Sequence, residues 1–194
     1  MERGEPSRGR FSCDLSGPGR DLSHFWEHVV GSDHAPVALR ADWQAQLWRC
    51  RRELGLRAVR FHGLLSDDVG TFIVHEQAPL YSFFNADQIV DFLLSIGMRP
   101  FVELSFMPAA LASGDRTVFR YRGNVTPPTD YGAWGELVRR LVAHWKQRYG
   151  TEEVARWHAA HLRLAELGLR ATGAPDPRAD APLLVAAITG FLGR

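Results

Sequence analysis

The chain has 194 residues, a net charge of +1, 45% hydrophobic residues and 23% charged residues, which fits a soluble globular protein with room for one domain of moderate size. Its Arg residues are scattered among acids, so no basic stripe argues for nucleic acid or an anionic membrane surface as partner. No window approaches the roughly 18 apolar residues of a membrane span.

Residues 1–20 are rich in Gly, Arg, Ser and Pro, a composition that buries little apolar surface and predicts a disordered leader. The first residues, Met1-Glu2-Arg3-Gly4-Glu5-Pro6, lack the apolar core of a signal peptide, so the expected location is cytoplasmic. Phe25-Trp26-Glu27-His28-Val29-Val30 alternates loosely and ends in Gly31-Ser32, predicting a short strand and a turn. Asp42 opens a helical run in which Trp43, Leu47, Cys50 and Leu54 share a face, and Gly55 is a C-terminal stop. Arg57–His62 reads as a second strand. Asn85 is placed to cap a second helix with Ile89, Val90, Phe92, Leu93 and Ile96 on its apolar face, ended by Gly97. Pro100–Phe106 reads as a third strand. After a polar loop rich in Gly and Pro, Asp130 begins a third helix through Leu137, Leu141 and Trp145 to Gly150.

Strands alternating with helices imply parallel strands joined by right-handed crossovers. Short helix-to-strand links and long strand-to-helix links fit an α/β fold of the (β/α)₈ TIM-barrel kind, where the βα loops carry function. About three βα units are present. The tail, residues 158–194, reads as a Leu-rich helix, a Pro-rich link and a short apolar run.

Arg60 and His62 lie two apart on the second strand and share a face, with Val59 and Phe61 on the other. Such a pair is either a satisfied structural pair at a strand end or a group placed for a carboxylate or a sugar hydroxyl. Glu103 on the third strand reads as a base, an orienting group or a partner of Arg60; the last is favoured because a buried carboxylate is usually paired. The loops carry Phe72, Tyr81, Phe83 and Phe84, rings that either stack on sugar or pack the loops. His24, His28, His34, His62 and His75 cluster near loop ends, but none share a helix face at metal-binding spacing, and Cys13 and Cys50 are far apart. No metal and no cofactor are expected.

Several runs are similar to one family. Phe25–Ala35 resembles the opening strand and loop of glycoside hydrolase family 39, and Val59-Arg60-Phe61-His62-Gly63-Leu64-Leu65-Ser66-Asp67-Asp68 its second. Tyr81–Asn85 with Asp87-Gln88, Gly97–Pro108, Asn124–Pro128 and Tyr149-Gly150 also match, in order. The resemblance implies that residues 21–157 are the N-terminal half of a glycoside hydrolase barrel, nearer the bacterial β-xylosidases than the α-L-iduronidases, with a sugar or xyloside as ligand. It implies substrate-binding roles for His62, Arg60, Glu103, His34 and Phe84, and a retaining mechanism using two carboxyl groups.

In that family the acid/base is the Glu of an Asn-Glu-Pro motif on strand four, and the nucleophile is a later Glu. Here the only asparagines are Asn85 and Asn124, neither followed by Glu, and residues 158–194 are unlike the family. The expectation is therefore a truncated β-xylosidase-type hydrolase without catalytic residues of its own, inactive as given and prone to self-association through open sheet edges. The alternative is a non-catalytic carbohydrate-binding or regulatory protein that reuses half a barrel.

Overall fold

The structure, a computed structural model, describes residues 11–159. The expected helical tail from residue 160 onward and the leader before residue 11 lie outside the described residues; residues 11–20 are exposed coil. Among the described residues no helix is long and apolar enough to cross a membrane.

The strand expected over residues 25–30 begins later. Phe25–Glu27 is a single 3-10 turn, and strand β1 is Val30–His34. The aromatic run here is not a buried strand, since Phe25 is exposed, while Gly31 and Ser32 are strand residues rather than a turn. Trp43 Nε1–H donates to Ser32 Oγ at 3.0 Å, tying the strand to the helix that follows. A 3-10 turn, Ala35–Leu39, makes the first strand-to-helix link short rather than long.

Helix α1, Ala41–Leu54, packs Leu47 into the core with Trp43 and Cys50 at its margin, but Leu54 is 52% exposed and leaves the expected face. Gly55 ends the helix in the left-handed region at φ 72°. Strand β2 is Ala58–His62. Two short strands that the sequence did not announce, β3 (Phe72–His75) and β4 (Ala78–Tyr81), then form an antiparallel hairpin. Its turn holds Glu76 and Gln77 at φ 48° and 66°, a conformation in which Asn-Gly is the usual signal.

Helix α2, Phe84–Ser95, buries Ile89, Val90 and Leu93. Asn85 does not cap it. Its Nδ2–H donates to the Val69 carbonyl at 2.9 Å, so it ties the loop after β2 to the first turn of the helix. Strand β5, Arg99–Val102, is followed by a second hairpin, β6 (Thr117–Val118) and β7 (Gly123–Asn124). Helix α3, Tyr131–Tyr149, starts as expected, with Asp130 accepting from the Gly132 N–H at 2.7 Å. A short helix α4, Thr151–Val154, leads to strand β8, His158–Ala159.

Among the described residues the main sheet has four strands in the order β1-β2-β5-β8, all parallel, one strand more than expected. Its last strand takes residues that had read as part of the tail. Two residues carry too little pattern to be told from a helix by periodicity.

Val59, Phe61 and Val102 meet Ile89, Leu93, Leu137, Leu141 and Trp145 in one apolar core between the sheet and the helices. At the amino ends of the strands, ion pairs close the links. Arg57 Nη2–H donates to Glu27 at 2.9 Å, and Arg99 Nε–H donates to Glu153 at 2.7 Å. Glu27 is thus a structural partner. Removing a core side chain should separate cleanly from removing an exposed one. Leu141→Ala, at 0% exposure, is expected to cost about 2–5 kcal/mol. Leu54→Ala is expected to stay within about 0.5 kcal/mol. Urea unfolding followed by Trp fluorescence checks this, and equal losses would contradict the assigned core.

Candidate functional site

The carboxyl ends of β1, β2 and β5 meet at one point. In the parallel register His34 faces His62, and Arg60 faces Phe101. Val59 and Phe61 are buried against the helices, so the alternation of the strand sends Arg60 and His62 out of the opposite face. Glu103 stands one residue past the end of β5 on the same side, 4% exposed, and forms an ion pair with Arg60. The favoured partner role of Glu103 is the one observed. Arg60 itself is 43% exposed, so the pair sits at the boundary between sheet and solvent. Two bonds hold the β2 and β5 loops together there. Gly63 N–H donates to Ser105 Oγ at 3.1 Å, and Leu65 N–H to the Ser105 carbonyl at 2.7 Å.

Burial raises the Glu103 carboxyl above its ordinary range, and Arg60, His62 and the Ser105 hydroxyl pull it back down. His62 moves the other way. Loss of water lowers it, Glu103 and Asp33 oppose that, and the neighbouring His34 and Arg60 reinforce it. His34 is nearly enclosed and is lowered by burial against the pull of Asp68 and Asp33. Its Nδ1 lies 3.4 Å from Asp68 Oδ2 and its Nε2 3.4 Å from Ser66 Oγ. Gly63 is required beside it, because at φ 79° a Cβ would lie 2.3 Å from His34 Cδ2.

Residues missed in the sequence complete the group. The turn between β6 and β7 carries Phe119 and Tyr121 over the two histidines. Tyr121 stacks on His34 with ring centroids 4.0 Å apart, and its hydroxyl is in hydrogen-bond contact with His62 Nε2. Phe119 stacks on His62 at 5.4 Å, and Phe106 closes the side at 5.6 Å. Asp33 sits 3.8 Å from His62 Nε2 and 3.9 Å from Arg120 Nη2. The only hint was two aromatics spaced two apart within a loop that otherwise reads as polar. Beside this cluster a cavity of about 500 Å³ is lined by Ser66, Asp68, Tyr121 and Asn124, among others.

His34, Arg60, His62 and Glu103 are therefore brought together. Phe84 is not part of their contacts. It is 68% exposed on the first turn of α2, at the end of that helix reached from the carboxyl end of β2. Phe72 and Tyr81 pack edge to face within their hairpin, and Phe83 lies against His144 at 5.2 Å, so these rings fasten loops. Asp87, buried in α2, accepts from His144 Nε2–H at 2.7 Å and is likewise structural. Among the described residues no three His, Cys, Asp or Glu side chains converge as a cation site.

The family model of glycosyl hydrolases family 39 matches residues 11–161. A β-xylosidase of Caldicellulosiruptor saccharolyticus is 54% identical over 137 residues, which cover 70% of this chain and 28% of the relative. A β-xylosidase of Geobacillus stearothermophilus is 46% identical over 136 residues, 68% of this chain and 27% of the relative. The crystal structure of a monomeric β-xylosidase from Caulobacter crescentus superimposes with a TM-score of 0.68 at 38% identity, over 71% of this chain and 28% of that one. The chain thus spans less than a third of the length of the relatives it matches.

The buried imidazoles give a pH dependence of known sign. A His whose folded pKa lies below its ordinary 6.5 adds stability above that value and loses it as pH falls toward the folded pKa. Glu103, raised from 4.5, acts oppositely and costs stability as pH rises through its folded pKa. The chain is expected to lose stability as pH drops below 6.5, with a shallower slope in His62→Gln. Urea midpoints measured across that range test this, and an unchanged slope in the variant would contradict it.

Proposed function

Because the chain belongs to glycosyl hydrolases family 39, we propose that it carries the sugar-binding wall of a β-xylosidase-type active site on the first strands of a (β/α)₈ barrel. The observation that carries this reading is the Arg60–Glu103 pair with His62 beside it, on the sheet face turned away from the helices. In a closed barrel that face is interior, and its carboxyl-end rim is where barrel enzymes bind substrate. A charged pair there costs desolvation that an apolar pair would not. The cost has a use if a polar ligand is bound.

A pentose offers hydroxyls that need donors and acceptors, and CH faces that pack on rings. Arg60 and His62 supply donors, Glu103 an acceptor, and Phe119 and Phe106 supply rings. His34 backs the group from below through its stack with Tyr121. Phe84 would act at the rim, where its exposed face is free to meet a sugar ring.

The second part of the proposal is that the sequence as given does not turn over glycosides. Retaining hydrolysis needs two carboxyl groups about 5–5.5 Å apart, one to protonate the leaving oxygen and one to attack the anomeric carbon. Glu103 is committed to Arg60, and Asp33 faces His62 and Arg120, so neither is free for those roles. Neither of the two asparagines precedes a Glu, so the family's acid/base motif is absent from the sequence. Without a nucleophile there is no covalent intermediate, and positioning groups have nothing to stabilise.

The assay uses the purified chain with an aryl β-xyloside, beside Glu103→Gln. Background rates in both are expected. Turnover above background that disappears in the variant would overturn the proposal. The outer strands of the sheet, β1 and β8, have one paired side each among the described residues and would pair with a second copy. Sedimentation velocity is expected to show concentration-dependent association, and a monomer at every concentration would count against it.

A further inference from the structure

His62 makes its closest polar contact not with either carboxylate beside it but with the hydroxyl of Tyr121, which comes from a separate hairpin 59 residues away in sequence. That hairpin is held to the site at several points. Its turn places Phe119 and Arg122 at φ 61° and 55°, conformations that side chains other than glycine adopt only when their surroundings hold them. Gly123, next in the chain, lets the hairpin lie directly on Phe106, since a Cβ there would come within 2.4 Å of that ring. The Tyr121 ring lies flat on His34, at 11° to it, and His34 is braced in turn by Asp68 and Ser66. The phenol is therefore fixed before any ligand arrives.

We infer that Tyr121 is a positioning residue for His62: its hydroxyl donates to His62 Nε2, keeps the imidazole proton on Nδ1, and leaves that N–H as the donor for a ligand hydroxyl. The ligand named here, a sugar, rests on the proposed function; the action of Tyr121 on the ring does not. A phenol O–H is a better donor than a neutral imidazole N–H, and a neutral imidazole nitrogen is a good acceptor. Burial moves the phenol further above its ordinary range and the imidazole below its own, directions that favour a protonated phenol beside a neutral ring. The charged neighbours of the His62 ring are Glu103, Arg60 and Asp33, and His34 is a titratable neighbour beside them. Asp33 is the carboxylate within 4 Å of Nε2 and favours a proton there. It stands 3.8 Å away and is half exposed, whereas the phenol is within bonding distance, so the phenol decides the tautomer.

The test is nitrogen-15 NMR of the imidazole rings in the full chain, with His62 assigned through His62→Gln. In the unmodified chain His62 is expected with its proton on Nδ1 and a titration midpoint below 6.5. Tyr121→Phe keeps the stack on His34 and removes only the hydroxyl. It is expected to raise the midpoint by about 0.5, populate the Nε2–H form, and leave the melting temperature nearly unchanged. Phe119→Leu removes a stacked ring but no hydrogen bond and should leave the tautomer alone. A proton on Nε2 in the unmodified chain overturns the inference, and this arm needs no variant to fold. So does a Tyr121→Phe ring with unchanged midpoint and tautomer, which would reduce Tyr121 to packing. Adding xylose to the same samples separates the two claims. A His62 ring that responds to Tyr121→Phe but ignores xylose would sink the sugar reading and keep the positioning role.

Discussion

Everything at the site depends on the two-residue alternation of β2. Val59 and Phe61 must go inward, because the helices α1, α2 and α3 press their apolar faces on that side of the sheet. Arg60 and His62 must then leave by the other side. A slip of one residue would bury a guanidinium among Leu93, Leu137 and Leu141 and expose two large apolar side chains. Core and site are thus opposite consequences of one register, and neither can shift without the other.

The polar face is made tolerable by local pairing. Glu103 is nearly excluded from water, which alone would favour its neutral form, yet it lies against a guanidinium that cannot lose its charge. Arg60 keeps part of its head in water, so only one partner carries the full desolvation cost. The histidines avoid that cost by staying neutral and trading contacts with Tyr121, Ser66 and Phe119. The result is a rim rich in donors, acceptors and ring faces on the side of the sheet opposite the apolar core.

Much of this was legible in the sequence. The three long helices, Gly55, the Asp130 cap and the parity of Arg60 and His62 all followed from periodicity and end signals, and the Glu103 partner from the rule that buried charges pair. What escaped has common causes. The hairpins β3–β4 and β6–β7 turn through Glu76, Gln77, Phe119 and Arg122, residues that carry no turn signal because surrounding contacts, not propensity, impose their backbone. The start of β1 was misplaced because aromatic alternation over Phe25–Val30 resembles a strand, while the true strand contains glycine and serine. Asn85 had the identity of a cap but spends its amide on Val69. Tyr121 was invisible as a site residue because its meaning lies wholly in what a distant hairpin brings it against.

The central claim is that the polar face of the sheet, and not another surface, receives a sugar. The groove between α1 and α2, lined by Trp48, Arg52 and Phe92, is the natural rival surface because it also offers a ring and polar edges. Backbone amide NMR of the chain titrated with methyl β-xyloside distinguishes the two directly. The account predicts saturable shifts at residues 60–63, 103–106 and 119–121. Shifts confined to residues 44–53 and Phe92, or none at saturating xyloside, would contradict it.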